Sequence, residues 1–199
     1  MPIASLLPFV AAHLELTAVA LVIALAVAVP MGVATAYGGR ARGPILAVAA
    51  IGRTIPSLAV LTFVLPFLGV GFTPAIVALT LLAIPPIVIN TDLGLRGVAA
   101  AAVDAARGMG MTGAQTFTRV AWPLALPTML TGVRTAAIEV VASATLATFI
   151  GAGGLGDVIT RGLQGGRTDL ILEGAIAAAI LALAIEAGLA LTERTLTKS

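Results

Sequence analysis

Long uncharged apolar runs alternate along this chain with short segments that carry most of the charged residues. Residues 16–39 contain no charge and are long enough for one membrane-spanning helix, which needs about 20 mostly apolar residues. Residues 54–91 are also uncharged and are long enough for two spans, divided at residues 66–74, where prolines and glycines cluster. Residues 124–150 and 169–192 predict a fourth and a fifth span.

Helices are favoured over strands because the runs are long and alanine-rich and lack the period-2 alternation of a membrane barrel. Composition supports a bilayer location, since 59% of the residues are hydrophobic and only 10% are charged, against about 25% charged in soluble domains. The expected fold class is therefore all-α integral membrane, with about five transmembrane helices in one domain over residues 1–199.

The distribution of basic residues predicts the orientation. With five spans and the N-terminus outside, the outer segments hold two arginines, Arg161 and Arg167. The inner segments hold seven basic residues: Arg40, Arg42, Arg96, Arg107, Arg119, Arg194 and Lys198. This positive-inside bias places the C-terminus and the polar residues 97–123 in the cytoplasm.

Several classes of function lack the residues that they need. Cysteine is absent and His13 is the only histidine, so thiol chemistry and an all-histidine metal site within one chain are excluded; we expect His13 at the membrane interface. An intramembrane enzyme would need a nucleophile, an acid–base pair or a metal cluster, and the sequence offers none. The net charge of +2, without a basic run, gives no indication of nucleic-acid binding. A cleaved signal peptide is not expected, because no basic residue precedes Arg40.

Residues 97–123 predict a helix, an elbow and a second helix. Residues 97–107 are alanine-rich and predict the first helix, in which Asp104 and Arg107 are spaced to face each other. Gly108 stands where a helix C-terminus favours glycine, and residues 109–111 form a flexible elbow with exposed methionines.

Thr112 and Gln115 have the spacing of a capping box, which predicts the start of the second helix. That helix would carry Phe117, Val120 and Trp122 as far as Pro123, where the fourth span begins. Small residues and methionines at the tip suit a groove on a partner protein.

Residues 97–123 resemble the EAA loop of ABC-importer permeases and are called the coupling segment hereafter. The matching residues are Asp104-Ala105-Ala106, then Gly110, then Val120 and Trp122-Pro123 at the family spacing. Asp104 replaces the usual glutamate, and Trp122 stands where an aliphatic residue is common.

Further stretches resemble the permeases for quaternary-amine osmoprotectants, namely glycine betaine, carnitine and choline. These stretches are GRTIPSLAV (52–60), IPPIVINTDLGL (84–95), RGMGMTGAQ (107–115), GVRTAAIEVVASATLATFIGAGGLGDVI (132–159) and GAIAAAILALAIEAGLALTERTLT (174–197). Methionine-type permeases share GAGGLGD but resemble the rest less.

The resemblance implies a type I ABC importer permease fold in the plasma (inner) membrane of a prokaryote. It implies a second permease subunit, identical or different, two cytoplasmic ATPase subunits and an extracytoplasmic substrate-binding protein. ATP and Mg²⁺ would bind the ATPase, because GxxxxGK[ST] does not occur in this chain, and no cofactor is expected on it. The implied ATPase-coupling residues are Asp104, Ala105, Ala106, Gly108, Met109, Gly110 and Met111.

The substrate stays open at this point. Glycine betaine, choline and carnitine are the expected substrates, and an ergothioneine- or methionine-type substrate is the alternative. An ion-coupled secondary transporter that uses Glu139 and Glu186 is a further hypothesis.

Two features of the fourth span and its exit are candidate parts of the transport machinery. A polar stripe runs along one face of the span and faces either another helix, the dimer axis or the translocation path; its members are Thr128, Thr131, Thr135, Glu139 and Ser143. Residues 151–156 match GxGxxG, but no βαβ unit surrounds them, so a dinucleotide site is not indicated. Gly151, Gly153 and Gly154 are instead read as a tight exit or a candidate outer gate.

Three further predictions concern single residues. Glu186 lies deep in the fifth span and needs a partner, with Arg53 and Arg134 as the two candidates, while Arg134 and Glu139 point to different faces. Pro56, Pro85 and Pro86 are expected to break helices, either as kinks that packing tolerates or as hinges for alternating access.

Overall fold

The computed structural model describes the backbone of residues 5–197 and the side chains of residues 5–193, so Lys198 lies outside the described residues. In chain order the helices are α1 (Leu7–Tyr37), α2 (Arg42–Gly52), α3 (Ser57–Leu68), α4 (Phe72–Arg96), α5 (Ala100–Gly108), α6 (Gly113–Thr116), α7 (Trp122–Ala144), α8 (Leu155–Gln164) and α9 (Thr168–Thr197). A π-helical turn, Phe117–Ala121, joins α6 to α7, and a 3-10 turn, Leu146–Ile150, follows α7.

Four helical stretches within residues 5–197 are long and apolar enough to cross a membrane, and the bent pair of α2 and α3 brings the total up to five. No strand occurs in this part of the chain. The prediction of an all-helical membrane protein with about five spans is therefore confirmed.

Helices α1, α4 and α7 form the core, and small residues let them approach closely. Thr80 of α4 lies against the carbonyl of Ala20, and Gly32 lies against Thr91, so α1 and α4 run in the same direction. A Cβ on Gly32 would lie 2.4 Å from Thr91 Cβ. A Cβ on Gly132 would lie 2.5 Å from Asn90 Cβ and 2.8 Å from the carbonyl oxygen of Pro86. Glycine at these two positions sets the spacing of α4 from both of its neighbours.

The second span, predicted from residue 54 onward, begins earlier and consists of two helices. Helix α2 already begins at Arg42, and α2 and α3 are bent by 101° at the break between them. Pro56 stands at the start of α3, as expected of a helix-breaking residue. By contrast, Pro85 and Pro86 lie buried inside the continuous α4 and do not break it, which fits the expectation that packing tolerates them. Packing on both sides of α4 tolerates the missing hydrogen bonds.

A buried ion pair that the sequence did not suggest ties α2 to α4. The Arg42 guanidinium donates to both carboxylate oxygens of Asp92, over 3.1 Å from Nε and 2.9 Å from Nη2. Asp92 is fully buried, whereas the Arg42 side chain is about one-third exposed. The pair neutralises a carboxylate that would otherwise be costly at this depth, and it fixes the start of α2 against the last turns of α4.

Helix α8 was not predicted, and it packs antiparallel against α9. Gly162 lies against Ile171, and Gly174 lies against Ile159. In the turn between the two helices, Arg167 Nη2 donates to Asp169 over 2.5 Å, and this hydrogen bond raises the pKa of Arg167 above its ordinary value. Most of the apolar surface of α9 is exposed, since only 6% of its most hydrophobic window is buried, against 67% for α4. This surface is therefore available to lipid or to a second subunit.

Candidate coupling segment, polar stripe and glycine-rich loop

The elbow of the coupling segment is a hydrogen-bonded turn. The N–H of Met111 bonds the carbonyl of Ala106 over 3.1 Å, and the N–H of Gly110 bonds that of Arg107 over 2.9 Å. Together they form a Schellman motif, in which the glycine is left-handed, and Gly110 indeed has φ +82°. Gly108 is instead the last residue of α5, so the prediction that Gly108 ends the helix is corrected to Gly110.

The capping box at the start of the second helix is confirmed. The N–H of Thr112 donates to Gln115 Oε1 over 2.9 Å, and the N–H of Gln115 donates to Thr112 Oγ1 over 3.3 Å. The helix that follows is not a separate unit, because α6 continues through the π-helical turn into α7 as one stretch, Gly113–Ala144. A displacement of the elbow would therefore act directly on the fourth span.

The candidate coupling residues on α5 and in the turn after it differ in their exposure. Ala106 is buried, with 1% of its surface exposed. Asp104, Ala105, Gly108, Met109 and Gly110 are exposed, and Met109 shows 72% of its surface. Asp104 and Arg107 form no ion pair within 4.0 Å, although both side chains are described. The expected contact across one turn is thus not made, and the Asp104 carboxylate stays open to a partner.

An aromatic cluster holds the coupling segment against the end of α1. Phe117 lies edge-on to Tyr37 with the ring centroids 6.0 Å apart, and Trp122 lies 5.7 Å from Phe117. A cavity of about 270 Å³ lies behind the cluster, lined in part by Leu95 and Val103. The segment is therefore packed onto the span ends by apolar contacts, while its tip projects.

The polar stripe on α7 lies on a partly open face. Thr128 and Thr131 are exposed, Thr135 and Glu139 are half-buried, and Ser143 is buried. Thr131 and Thr135 donate to carbonyls one turn earlier, over 3.1 Å and 2.9 Å. Thr131 and Thr135 therefore have a hydrogen-bond acceptor within their own helix, and the stripe presents a polar face on the outside of this chain.

Glu139 lies at the centre of this stripe. Within the described side chains it forms no hydrogen bond and no ion pair within 4.0 Å. The charged group that interacts with it over a longer range is Arg53, at the break between α2 and α3. A half-buried carboxylate on an open face is what a dimer axis or a translocation path would present.

The partner of Glu186 is Arg134, which settles the choice between Arg53 and Arg134. Arg134 Nη2 donates to Glu186, and its Nη1 lies 3.7 Å from Glu193 Oε2. All three side chains are between one-quarter and about one-third exposed. The cluster joins α7 to α9 beside the polar stripe.

The glycine-rich loop, residues 151–156, is shaped by left-handed glycines and by close packing. Gly151, Gly153 and Gly154 have φ of +75°, +81° and +87°. A Cβ on Gly156 would lie 2.0 Å from the carbonyl oxygen of Thr145. The 3-10 turn that leads into the loop contacts the turn between α3 and α4, because the N–H of Gly71 donates to Ile150 O over 2.6 Å. It follows a 3-10 turn and no strand, so the GxGxxG spacing here is a packing feature.

His13 is fully buried beside this loop, so the prediction of an interfacial histidine is wrong. Its Nε2 is 3.0 Å from the carbonyl oxygen of Val141, and its Nδ1 is 3.4 Å from the N–H nitrogen of Leu155. Sequence reasoning missed this site because both contacts join residues more than 120 positions apart.

Comparisons with known proteins agree with this geometry. Residues 27–191 match the family described as binding-protein-dependent transport system inner membrane component. The chain is 45% identical to the carnitine transport permease protein OpuCB of Listeria monocytogenes, over 93% of this chain and 85% of that protein. It is 43% identical to the glycine betaine/carnitine/choline transport system permease protein OpuCB of Bacillus subtilis, with the same coverage.

Solved structures show the same fold. A chain of the MetNI methionine ABC transporter in an inward-facing conformation matches with a TM-score of 0.86 and 25% identity, over 98% of this chain and 97% of that one. An amino acid ABC transporter matches with a TM-score of 0.80 and 19% identity, over 96% and 93%. The expected type I ABC importer permease fold is confirmed. The chain therefore belongs to the inner membrane components of binding-protein-dependent transport systems.

Proposed function

We propose that this chain is the membrane-spanning permease subunit of an ATP-driven importer for a quaternary-amine osmoprotectant of the carnitine, choline or glycine betaine type. The observation that carries the proposal is the 43–45% identity, over 93% of the chain, to permeases named for those three substrates. The chain itself supplies the transmembrane path, and ATP is hydrolysed on separate subunits.

The coupling segment supports a separate ATPase. Its exposed tip combines the Asp104 carboxylate on α5 with the apolar Met109 side chain in the hydrogen-bonded turn that follows. A soft apolar side chain beside a carboxylate suits a groove on a protein partner. Because α6 continues into α7, a force applied at the tip would reach the polar stripe without crossing a flexible joint.

The polar stripe supports a path or dimer face on α7. Its exposed threonines and the half-buried Glu139 would be costly against lipid, so a second permease subunit or a water-filled passage is their natural environment. An extracytoplasmic binding protein would deliver substrate to the opposite end, beside the glycine-rich loop.

Uptake by a reconstituted complex tests the proposal. The chain would be co-expressed with its ATPase and any second permease subunit, placed in proteoliposomes, and supplied with the binding protein. We expect uptake of radiolabelled carnitine, choline or glycine betaine that requires ATP on the ATPase side. Uptake driven by an ion gradient without the ATPase would overturn the proposal in favour of a secondary transporter.

A second candidate substrate class is methionine, favoured by the likeness to a methionine transporter across 98% of the chain. Radiolabelled methionine is therefore included in the same assay as a competitor and as a substrate. Uptake of methionine with no uptake of any quaternary amine would show that methionine is the substrate class of this permease.

A further inference from the structure

His13 bridges two helix ends with the two nitrogens of one imidazole. The carbonyl of Val141 can only accept, so Nε2 at 3.0 Å carries the proton and donates it. Nδ1 then accepts from the N–H of Leu155. Both ring nitrogens are thus bonded, which is what a fully buried imidazole requires.

Each helix end lacks the partner that His13 provides. Near the end of α7, the N–H of Thr145 bonds Ser143, so the carbonyl of Val141 does not receive the donor that lies four residues further on. At the start of α8, Gly154 has no side chain to cap the helix, and the first N–H groups of a helix need an acceptor from outside it. His13, on α1, serves as the donor at one end and the acceptor at the other.

The glycine-rich loop is shaped to admit the ring. A Cβ on Gly154 would lie 3.1 Å from His13 Nδ1, and the left-handed φ of Gly154 also favours glycine. The loop therefore closes over the imidazole, and Leu155 behind it is fully buried. A 3-10 turn such as Leu146–Ile150 often marks a hinge, and this one lies between the two contacts of His13 along the chain.

We propose that His13 is a positioning residue for transport, which clamps the glycine-rich loop and the end of α7 to α1 so that these elements move together at the outer gate. The role in transport rests on the proposed function, whereas the two contacts of His13 are a feature of this chain alone. The two hydrogen bonds of His13 keep the glycine-rich loop closed over the outer end while the inner end is open.

Four variants separate the contacts. His13→Leu removes both hydrogen bonds at similar volume. His13→Gln keeps an N–H donor near the position of Nε2, and His13→Asn keeps an acceptor near the position of Nδ1. Thr17→Val is the matched control, because Thr17 is also buried on α1 but its hydroxyl donates within the same helix, to His13 O over 2.8 Å.

Each variant is combined with Ala152→Cys in the reconstituted complex, because the chain has no cysteine of its own and Ala152 is partly buried in the loop. The first readout is the rate of labelling by a membrane-impermeant maleimide from the binding-protein side. The second is the maximal rate of uptake and the substrate concentration that gives half of it.

We expect His13→Leu to raise the labelling rate and lower the maximal uptake rate by about tenfold each, with the half-maximal concentration unchanged, as the loss of buried hydrogen bonds predicts. His13→Gln and His13→Asn should each recover part of both effects, and Thr17→Val should match the parent. Unchanged labelling in His13→Leu, or no recovery in either conservative variant, would overturn the clamp. If the parent complex imports no quaternary amine, the proposed function is wrong. The labelling rates of the His13 variants still test whether His13 holds the loop closed.

Discussion

Individual glycines set the distances between the core helices, and Gly132 shows this most directly. The atoms that an added methyl group would meet are the Cβ of Asn90 and the backbone oxygen of Pro86, neither of which can swing aside. Accommodating alanine would require α4 and α7 to separate, and contact along both helices would be lost.

We therefore predict that Gly132→Ala destabilises the protein by about 1–3 kcal/mol, as overpacking in a close-packed interior does. The measurement is the thermal unfolding midpoint of the purified chain in detergent. Gly188→Ala on α9 is the matched control, since no heavy atom lies within 4 Å of its added Cβ. Equal losses in the two variants would show that helix spacing is not the cause.

Residue-level prediction from the sequence succeeded where the partners are close along the chain. Thr112 and Gln115 are three apart, and their reciprocal bonds follow from helix geometry alone. Contacts such as Arg42 with Asp92, or His13 with Val141, depend on which helices pack together, which local pattern does not encode. His13 was misplaced because an apolar helix near the terminus gave no sign of its distant acceptor.

At the scale of elements, the turn at residues 109–111 of the coupling segment depends on the positive φ of Gly110. Gly108 and Gly110 both have open space around an added Cβ, but only Gly110 is left-handed, with φ +82°. A non-glycine residue pays roughly 1–2 kcal/mol in that conformation. The same substitution at the two positions therefore separates backbone strain from side-chain bulk.

We predict that Gly110→Ala weakens coupling between ATP hydrolysis and uptake, because the turn that presents Met109 is less often formed. A strain of roughly 1–2 kcal/mol corresponds to about a tenfold loss of the correctly folded turn. The measurement is the number of ATP molecules hydrolysed per substrate imported, together with the amount of ATPase that co-purifies. Gly108→Ala adds the same methyl group without the left-handed strain and should change the ratio less than Gly110→Ala does. A normal ratio in Gly110→Ala would contradict the assignment of the coupling segment.

The elements that the sequence missed are the short ones. Helix α2 has 11 residues and α8 has 10, which is too short for a spanning run, so a count of long apolar runs passed over both. The sequence correctly predicted where residues 54–91 divide into two parts. The chain turns within the predicted residues 66–74, at Gly69 and Gly71, which both have positive φ. The 101° bend was not predictable, because it depends on the Arg42–Asp92 pair and on packing against α4.

At the scale of the whole molecule, the structure places the two groups of candidate site residues at opposite ends of the bundle. The coupling segment and the aromatic cluster of Tyr37, Phe117 and Trp122 lie at one end of the bundle. The glycine-rich loop, His13 and α8 lie at the other end, because α1 and α7 run in opposite directions between them. The polar stripe lies on α7, which runs between the two ends as one continuous helix.

Which end faces the cytoplasm is a prediction from the seven inner and two outer basic residues. The chain has no cysteine, so one introduced thiol reports one position without background. Met109→Cys and Leu163→Cys form a matched pair, since these side chains are 72% and 58% exposed and lie at opposite ends. We expect a membrane-impermeant maleimide to label Met109→Cys only in inverted vesicles and Leu163→Cys only in spheroplasts. The reverse pattern would put the coupling segment on the side that has no ATP, and an ATPase could not then drive this permease through it.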